Sequence, residues 1–176
     1  MRSASYVIGL GSNRLHGRHG RPRAIVAAAI EALAAEGLTI RAVSPAICTP
    51  AMGPSIRDFA NAAVMVESNL PPPALLALLK RIEQAFGRRR GQRWGARVLD
   101  LDILAWSEGA WPPLPRRAPP GRLAVPHVAI PERAFALAPA AVVAARWHHP
   151  LAHRTFRQLE GRRRKARPVS RRPSDQ

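Results

Sequence analysis

Residues 88–104, RRRGQRWGARVLDLDIL, change character at their midpoint, from a run rich in arginine and glycine to one in which apolar and acidic residues alternate. Side chains alternate between the two faces of a strand, so residues 98–104 read as a strand with Leu99, Leu101 and Ile103 on a core face and Asp100 and Asp102 on the other. At the usual strand rise the two carboxylates leave their face about 6.6 Å apart. Like charges this close repel unless something positive stands between them. Mg²⁺ and the arginines just upstream, Arg88, Arg89, Arg90, Arg93 and Arg97, are both candidates.

The combination has chemical meaning. Guanidinium groups fork onto phosphate oxygens, and Mg²⁺ prefers one or two carboxylates completed by phosphates and water. Arginines, a carboxylate pair and a Trp-Gly loop together suggest a site for a polyphosphate. An Asp-x-Asp tripeptide alone is common by chance and reads first as a structural ion-pair network, so the flanking sequence has to decide.

The chain has 176 residues, enough for one domain with a real core, and 47% of them are hydrophobic. A formal net charge of +17 would first suggest nucleic-acid binding. Yet the charge is almost all arginine, with Lys80 and Lys165 the only lysines, in a chain also heavy in alanine and proline, and no strand carries an aromatic RNA-binding pattern. No specific nucleic-acid partner is expected. A single cysteine, Cys48, cannot form an internal disulfide and fits a reducing compartment. With no apolar run of membrane-spanning length and no signal peptide's apolar core, a soluble cytoplasmic protein is expected, and it is taken to be a monomer.

Outward from the acidic strand, residues 6–10 read as a first strand closed by a Gly-Ser-Asn turn. Residues 24–36 read as a helix stopped by Gly37, and 38–43 as a second strand. Residues 49–54, TPAMGP, cannot be regular structure. FANAAVMVE, at 59–67, is a strand pattern with a polar Asn61 among small apolar residues; its planar amide suits a heterocycle edge. Residues 74–86 form a helix with Leu75, Leu78, Leu79 and Ile82 as its stripe, ended by Gly87. Glu83 falls in its last turn, where the helix dipole disfavours a carboxylate, so a partner for it is expected. Residues 106–122 read as a loop and 123–127 as a short extended piece. A helix begins at 131–137, is interrupted by Pro139, and resumes as an alanine-rich run. A last short helix at 155–160 completes a single domain over 1–160. Residues 161–176 read as a disordered basic tail whose removal from Arg162 onward should leave fold and turnover intact.

Five segments, GLGSN at 9–13, TPAMGP at 49–54, FANAAV at 59–64, RWGARVLDLDIL at 93–104 and VPHVAIPERAF at 125–135, occur in an order that resembles the 6-hydroxymethyl-7,8-dihydropterin pyrophosphokinase family over about residues 6–160. The resemblance implies an α+β, ferredoxin-like fold with a four-stranded antiparallel core sheet, and transfer of pyrophosphate from ATP to the pterin alcohol in folate biosynthesis. It implies two Mg²⁺ ions on Asp100 and Asp102, with Arg88 and Arg97 assisting the transfer. Asn61 would read the pterin edge with help near Thr49 and Met52, Phe59 and Phe135 would sandwich the ring, and Trp94 would close over it. Arg90, Arg93, Arg122, His127 and Arg133 would grip the nucleotide, with Glu83 on the adenine side. Lys80 stands where many members carry glutamine, Ala124 where threonine is common, and Val128 where an aromatic residue or proline is usual. Two other readings make different products: an RNA-binding module none, and a metal-dependent nucleotidyltransferase free pyrophosphate.

Overall fold

A computed structural model describes residues 3–49, 59–87, 98–113, 119, 122–127, 130 and 132–166. The strands are β1 (Ala4–Ser12), β2 (Thr39–Val43), β3 (Ile47–Thr49), β4 (Phe59–Ser68), β5 (Asp100–Trp106), β6 (His148–His149) and β7 (Arg154–Thr155). The helices are α1 (Pro22–Ala35), α2 (Pro72–Ala85), α3 (Ala134–Val143) and α4 (Phe156–Ala166). The main sheet runs β2-β4-β1-β5, every pair antiparallel, with the short β3 also paired to β4. β6 and β7 form a separate two-stranded ribbon. Two strand-helix-strand units interleaved so that β1 and β4 are central give the α+β, ferredoxin-like architecture.

Alternation along the strands sorts the core onto two faces. Tyr6, Ile8 and Leu10 of β1, Ala62, Val64 and Val66 of β4, and Leu101 and Ile103 of β5 meet Ile25, Ala29 and Leu33 of α1 and Leu75, Leu78 and Leu79 of α2. The other face brings Val7, Ala63, Leu104 and Ala105 against Leu137 and Ala140 of α3 and Phe156 of α4. Both helices of the first layer start on proline, whose fixed φ suits a first turn. They stop where a glycine takes a positive φ, +87° at Gly37 and +84° at Gly87.

β5 runs two residues later than the expected 98–104, the short strands β3, β6 and β7 are added, and three further elements depart from the sequence pattern. α3 runs unbroken through Pro139, which is buried in it. Proline is costly inside a helix mainly through one lost hydrogen bond and a local clash, and burial beside Leu137 and Ala140 offsets that cost. β1 continues through Gly11 and Ser12, which the sequence places in a turn, because β4 and β5 pair with that end. α4 does not stop at Glu160; it reaches Ala166. Glu160 is buried, and its carboxylate accepts from Arg163 Nε at 2.7 Å, Arg163 Nη2 at 2.9 Å and Arg164 Nε at 2.7 Å. The boundary expected at 160 therefore moves to 166, and the start of the expected tail belongs to the folded domain. Residues 167–176 lie outside the described residues.

Candidate active site

The register of the sheet assembles the site. Asn61 of β4 lies opposite Gly11 of β1, and Gly11 lies opposite Asp100 of β5. One step along, Gly9 pairs with Ala63 on one side and Asp102 on the other. Paired residues share a face, so Asn61, Asp100 and Asp102 stand on the same face, across a strand that offers only glycine between them. Asn61 and Asp100 are separated by two strand spacings of about 4.8 Å each. Both aspartates are half-buried and Asn61 is 5% exposed.

The two glycines have different duties. A Cβ at Gly9 would lie 3.0 Å from Leu104 Cδ1, so Leu104 already fills the space above it. A Cβ at Gly11 would meet, among the described residues, Asn61 Oδ1 at 3.4 Å and nothing else within 4 Å. The face is thus filled above Gly9, whereas above Gly11 the one near neighbour among the described residues is the Asn61 amide. A β-bulge makes the plug: β5 pairs Ile103 with Ile8 and Ala105 with Val7, so Leu104 is an extra residue. Neither the bulge nor the role of the glycines is apparent from the sequence alone. A tight glycine pattern in a strand, G-L-G, is nevertheless the available signal of a close approach.

Phe59 lies two residues from Asn61 on the same face of β4 and opposite Thr49 of β3. Phe135 comes from α3, which packs on β4, and is 38% exposed with Arg133 Cζ 5.8 Å from its ring centroid. A cleft of about 500 Å³ beside Phe135 is lined also by Ile47, whose strand partner is Asn61. It lies on the α3–α4 side and does not reach the aspartates. His127 is half-buried and donates its backbone N–H to the Leu104 carbonyl at 3.1 Å, which ties it to the bulge. Arg122 is exposed. Met52, Arg88, Arg90, Arg93, Trp94 and Arg97, together with Val128, lie outside the described residues.

Glu83, which the resemblance puts on the adenine side, sits where α2 meets β5. It is fully buried, and its Oε1 accepts from Lys80 Nζ at 2.6 Å and from the backbone N–H of Leu101 at 2.8 Å. Lys80 Nζ also donates to the Leu101 carbonyl at 3.2 Å. The expected partner is Lys80, one helical turn earlier.

The loop between β1 and α1 carries two histidines, His16 and His19. His16 and His19 stack at 4.9 Å, and His19 stacks on Phe86 at 4.8 Å. The loop therefore seats against the end of α2, just before the arginine-rich run.

Two carboxylates on one half-buried face match what Mg²⁺ accepts when substrate oxygens complete its shell. Among the described residues no group of three or more histidine, cysteine, aspartate or glutamate side chains is placed to hold a metal alone. The fold and this face define a ferredoxin-like α+β domain with two carboxylates side by side on one half-buried sheet face.

Comparison with known proteins narrows this class. Residues 7–145 match the family model for 7,8-dihydro-6-hydroxymethylpterin-pyrophosphokinase. A 2-amino-4-hydroxy-6-hydroxymethyldihydropteridine pyrophosphokinase of Methylorubrum extorquens is 42% identical over 139 residues, 78% of this chain and 80% of the relative. The Synechocystis protein of the same name is 35% identical over 153 residues, covering 87% of this chain and 73% of the relative. The chain belongs to the 7,8-dihydro-6-hydroxymethylpterin-pyrophosphokinase family. Among solved structures, an HPPK-DHPS in complex with substrates aligns over 92% of this chain with a TM-score of 0.65 at 13% identity. A Plasmodium falciparum HPPK-DHPS triple mutant gives 0.64 at 14%. These two support the fold, and this chain spans 43% and 44% of their lengths.

Proposed function

We infer that the chain transfers the pyrophosphoryl group of ATP to the hydroxymethyl oxygen of 6-hydroxymethyl-7,8-dihydropterin in folate biosynthesis. The pterin oxygen attacks the β-phosphorus, the bond from that phosphorus to the α,β-bridging oxygen breaks, AMP leaves, and the hydroxyl proton passes to solvent. The observation that carries this reading is the row Asn61–Gly11–Asp100, a planar hydrogen-bonding amide and a carboxylate facing each other across a bare glycine.

In this reading Asn61 reads the amide-like edge of the pterin, assisted by main-chain groups near Thr49 and Met52. Phe59 and Phe135 hold the ring's faces, and Trp94 closes over it. Asp100 and Asp102 would hold two Mg²⁺ ions, whose charge would neutralise the phosphate oxygens and lower the pKa of the attacking hydroxyl. Arg88 and Arg97 steady the transferring group, and Arg90, Arg93, Arg122, His127 and Arg133 bind the remaining phosphates and the nucleoside. Transfer of this type asks for positioning and charge neutralisation more than covalent chemistry from the protein. The 88–97 run would exclude water as a competing acceptor. The protein is further taken as a cytoplasmic monomer without a nucleic-acid partner. Its lone cysteine supports that compartment, and among the described residues no helix is long and apolar enough to cross a membrane.

Incubation with ATP, Mg²⁺ and the pterin alcohol tests the reaction by its products. AMP and pterin pyrophosphate should form in equal amounts, and Asp100→Ala or Asp102→Ala should each reduce the rate on the order of 10³-fold or more. ADP would indicate an ordinary kinase and free pyrophosphate a nucleotidyltransferase; either product, or none, refutes the reading.

A further inference from the structure

The pair formed by Lys80 and Glu83 has no part in the mechanism above, yet its contacts fall on the residue between the two aspartates. Among the described residues β5 is the last strand on its side of the sheet. An edge strand turns alternate N–H and C=O groups outward, with no neighbouring strand to meet them. Asp100 and Asp102 face inward, opposite Gly11 and Gly9, so the outward residue between them is Leu101. Its N–H donates to Glu83 Oε1 at 2.8 Å and its carbonyl accepts from Lys80 Nζ at 3.2 Å. Two side chains of α2 thus take the place of a missing strand at one residue. The Leu101 side chain is itself fully buried, which anchors it from the core.

The geometry of the peptide bond gives this contact its consequence. The N–H of Leu101 lies in the peptide plane joining it to Asp100, and its carbonyl lies in the plane joining it to Asp102. Holding both planes fixes ψ of Asp100 and φ of Asp102, and with them the directions in which the two carboxylates leave the strand. A buried carboxylate would be a costly way to accept one backbone hydrogen bond if it stood alone. Lys80, at 36% side-chain exposure, neutralises it from the solvent side at 2.6 Å. The pair therefore supplies a strong acceptor without adding net charge behind a face meant for anions.

We propose that Lys80 and Glu83 are positioning residues that set the spacing and aim of the Asp100 and Asp102 carboxylates by clamping the Leu101 backbone between them. The proposal rests on the reading of those aspartates as metal ligands. Supporting residues of this kind, one step removed from a metal, typically change metal affinity or activity by about 10–100-fold when lost.

Glu83→Met keeps volume and loses the acceptor, whereas Glu83→Gln keeps an oxygen for the Leu101 N–H. Two readouts are needed at a temperature where circular dichroism shows each variant folded. One is Mn²⁺ affinity, measured by electron paramagnetic resonance with α,β-methylene-ATP, which cannot undergo the transfer. The other is steady-state kinetics with ATP and the pterin alcohol. Glu83→Met should weaken Mn²⁺ binding about 10-fold or more and lower kcat about 10–100-fold, with KM for the pterin changed less than about twofold. Glu83→Gln should recover most of both losses. A Glu83→Met protein that is less stable but, once folded, binds Mn²⁺ and turns over as the parent does would overturn the proposal and leave the pair a stability device. If Glu83→Met does not fold, the double variant Lys80→Met, Glu83→Gln removes the ion pair and the carbonyl's donor while retaining the N–H acceptor. It should weaken Mn²⁺ binding about threefold or more, and parent-like binding would overturn the proposal. A parent protein that makes no AMP and binds no Mn²⁺ with the analogue refutes the functional reading itself; parent activity with indifferent variants refutes only the clamp.

Discussion

Gly9→Ala tests whether the bulge at Leu104 really plugs the sheet face. The three atoms nearest a Cβ at this position all belong to Leu104, at 3.0, 3.1 and 3.2 Å. Leu104 is 3% exposed and has little room to retreat. Alanine in place of a strand glycine would ordinarily gain about 0.5–1 kcal/mol through a stiffer unfolded chain. Overpacking a filled site costs about 1–3 kcal/mol, so the clash wins, with a net loss near 1 kcal/mol. For a domain of this size that lowers Tm by about 2–4 °C. Leu104→Ala alone should cost about 2–4 kcal/mol through the cavity it leaves. In the double variant the new methyl group has nothing to strike, and Gly9→Ala should change sign and stabilise the Leu104→Ala background. Urea denaturation of all four proteins gives the coupling directly, expected at about 1–3 kcal/mol. Additive costs, or a Gly9→Ala protein as stable as the parent, would refute the placement of Leu104 over Gly9.

Removal of residues 167–176 should leave urea stability unchanged, whereas removal from Arg162 onward should cost about 1–3 kcal/mol, because the buried Glu160 carboxylate loses Arg163 and Arg164; equal stability of the two truncations would contradict this. The Arg163 hydrogen bond holds the Glu160 carboxyl below its usual pKa, so its contribution is present above pH 4.5 and fades as pH falls further, a slope the longer truncation should lack. Burial pushes the His149 imidazole below 6.5 while its Nδ1 accepts the backbone N–H groups of Leu151 and Ala152. The unfolded chain therefore takes up the proton first, and stability should fall as pH drops below about 6.5, less so in His149→Phe; pH-independent urea midpoints in the parent across this window would contradict it. Asn61→Ala should weaken pterin binding by about 1–3 kcal/mol and leave ATP binding unchanged in separate calorimetric titrations; equal losses would remove Asn61 from the pterin side.

The sequence makes the acidic strand and its two faces readable, because alternation with period two is a local property of residues 98–104. It makes Gly37 and Gly87 readable as helix ends for the same reason. The meeting of Asn61, Gly11 and Asp100 is a matter of strand order and register, which no single segment contains. The run of α3 through Pro139 and of α4 through Gly161 escaped local rules because tertiary contacts outweigh propensity there: Pro139 is buried, and Glu160 recruits the arginines beyond Gly161. Lys80 and Glu83 were legible as an i, i+3 pair on one helix, but their target, Leu101, lies far along the chain and depends on β5 being an edge.

The division of the second sheet face explains why stability and chemistry can coexist on it. Toward one end, Val7, Ala63, Leu104 and Ala105 present apolar groups, and α3 and α4 gain by covering them. Toward the other end the same three strands present Gly9 and Gly11, Asn61, and Asp100 and Asp102. A helix laid there would bury carboxylates and an amide with little apolar surface in return. The boundary falls at the bulge, where one extra residue puts Leu104 and Ala105 in succession on this face and returns Trp106 to the first, stacked 6.0 Å from its strand partner Tyr6. The insertion therefore serves both layers: it closes the covered half of the second face with Leu104 and restores Trp106 to the core of the first. The other half carries the polar row of Asn61, Asp100 and Asp102.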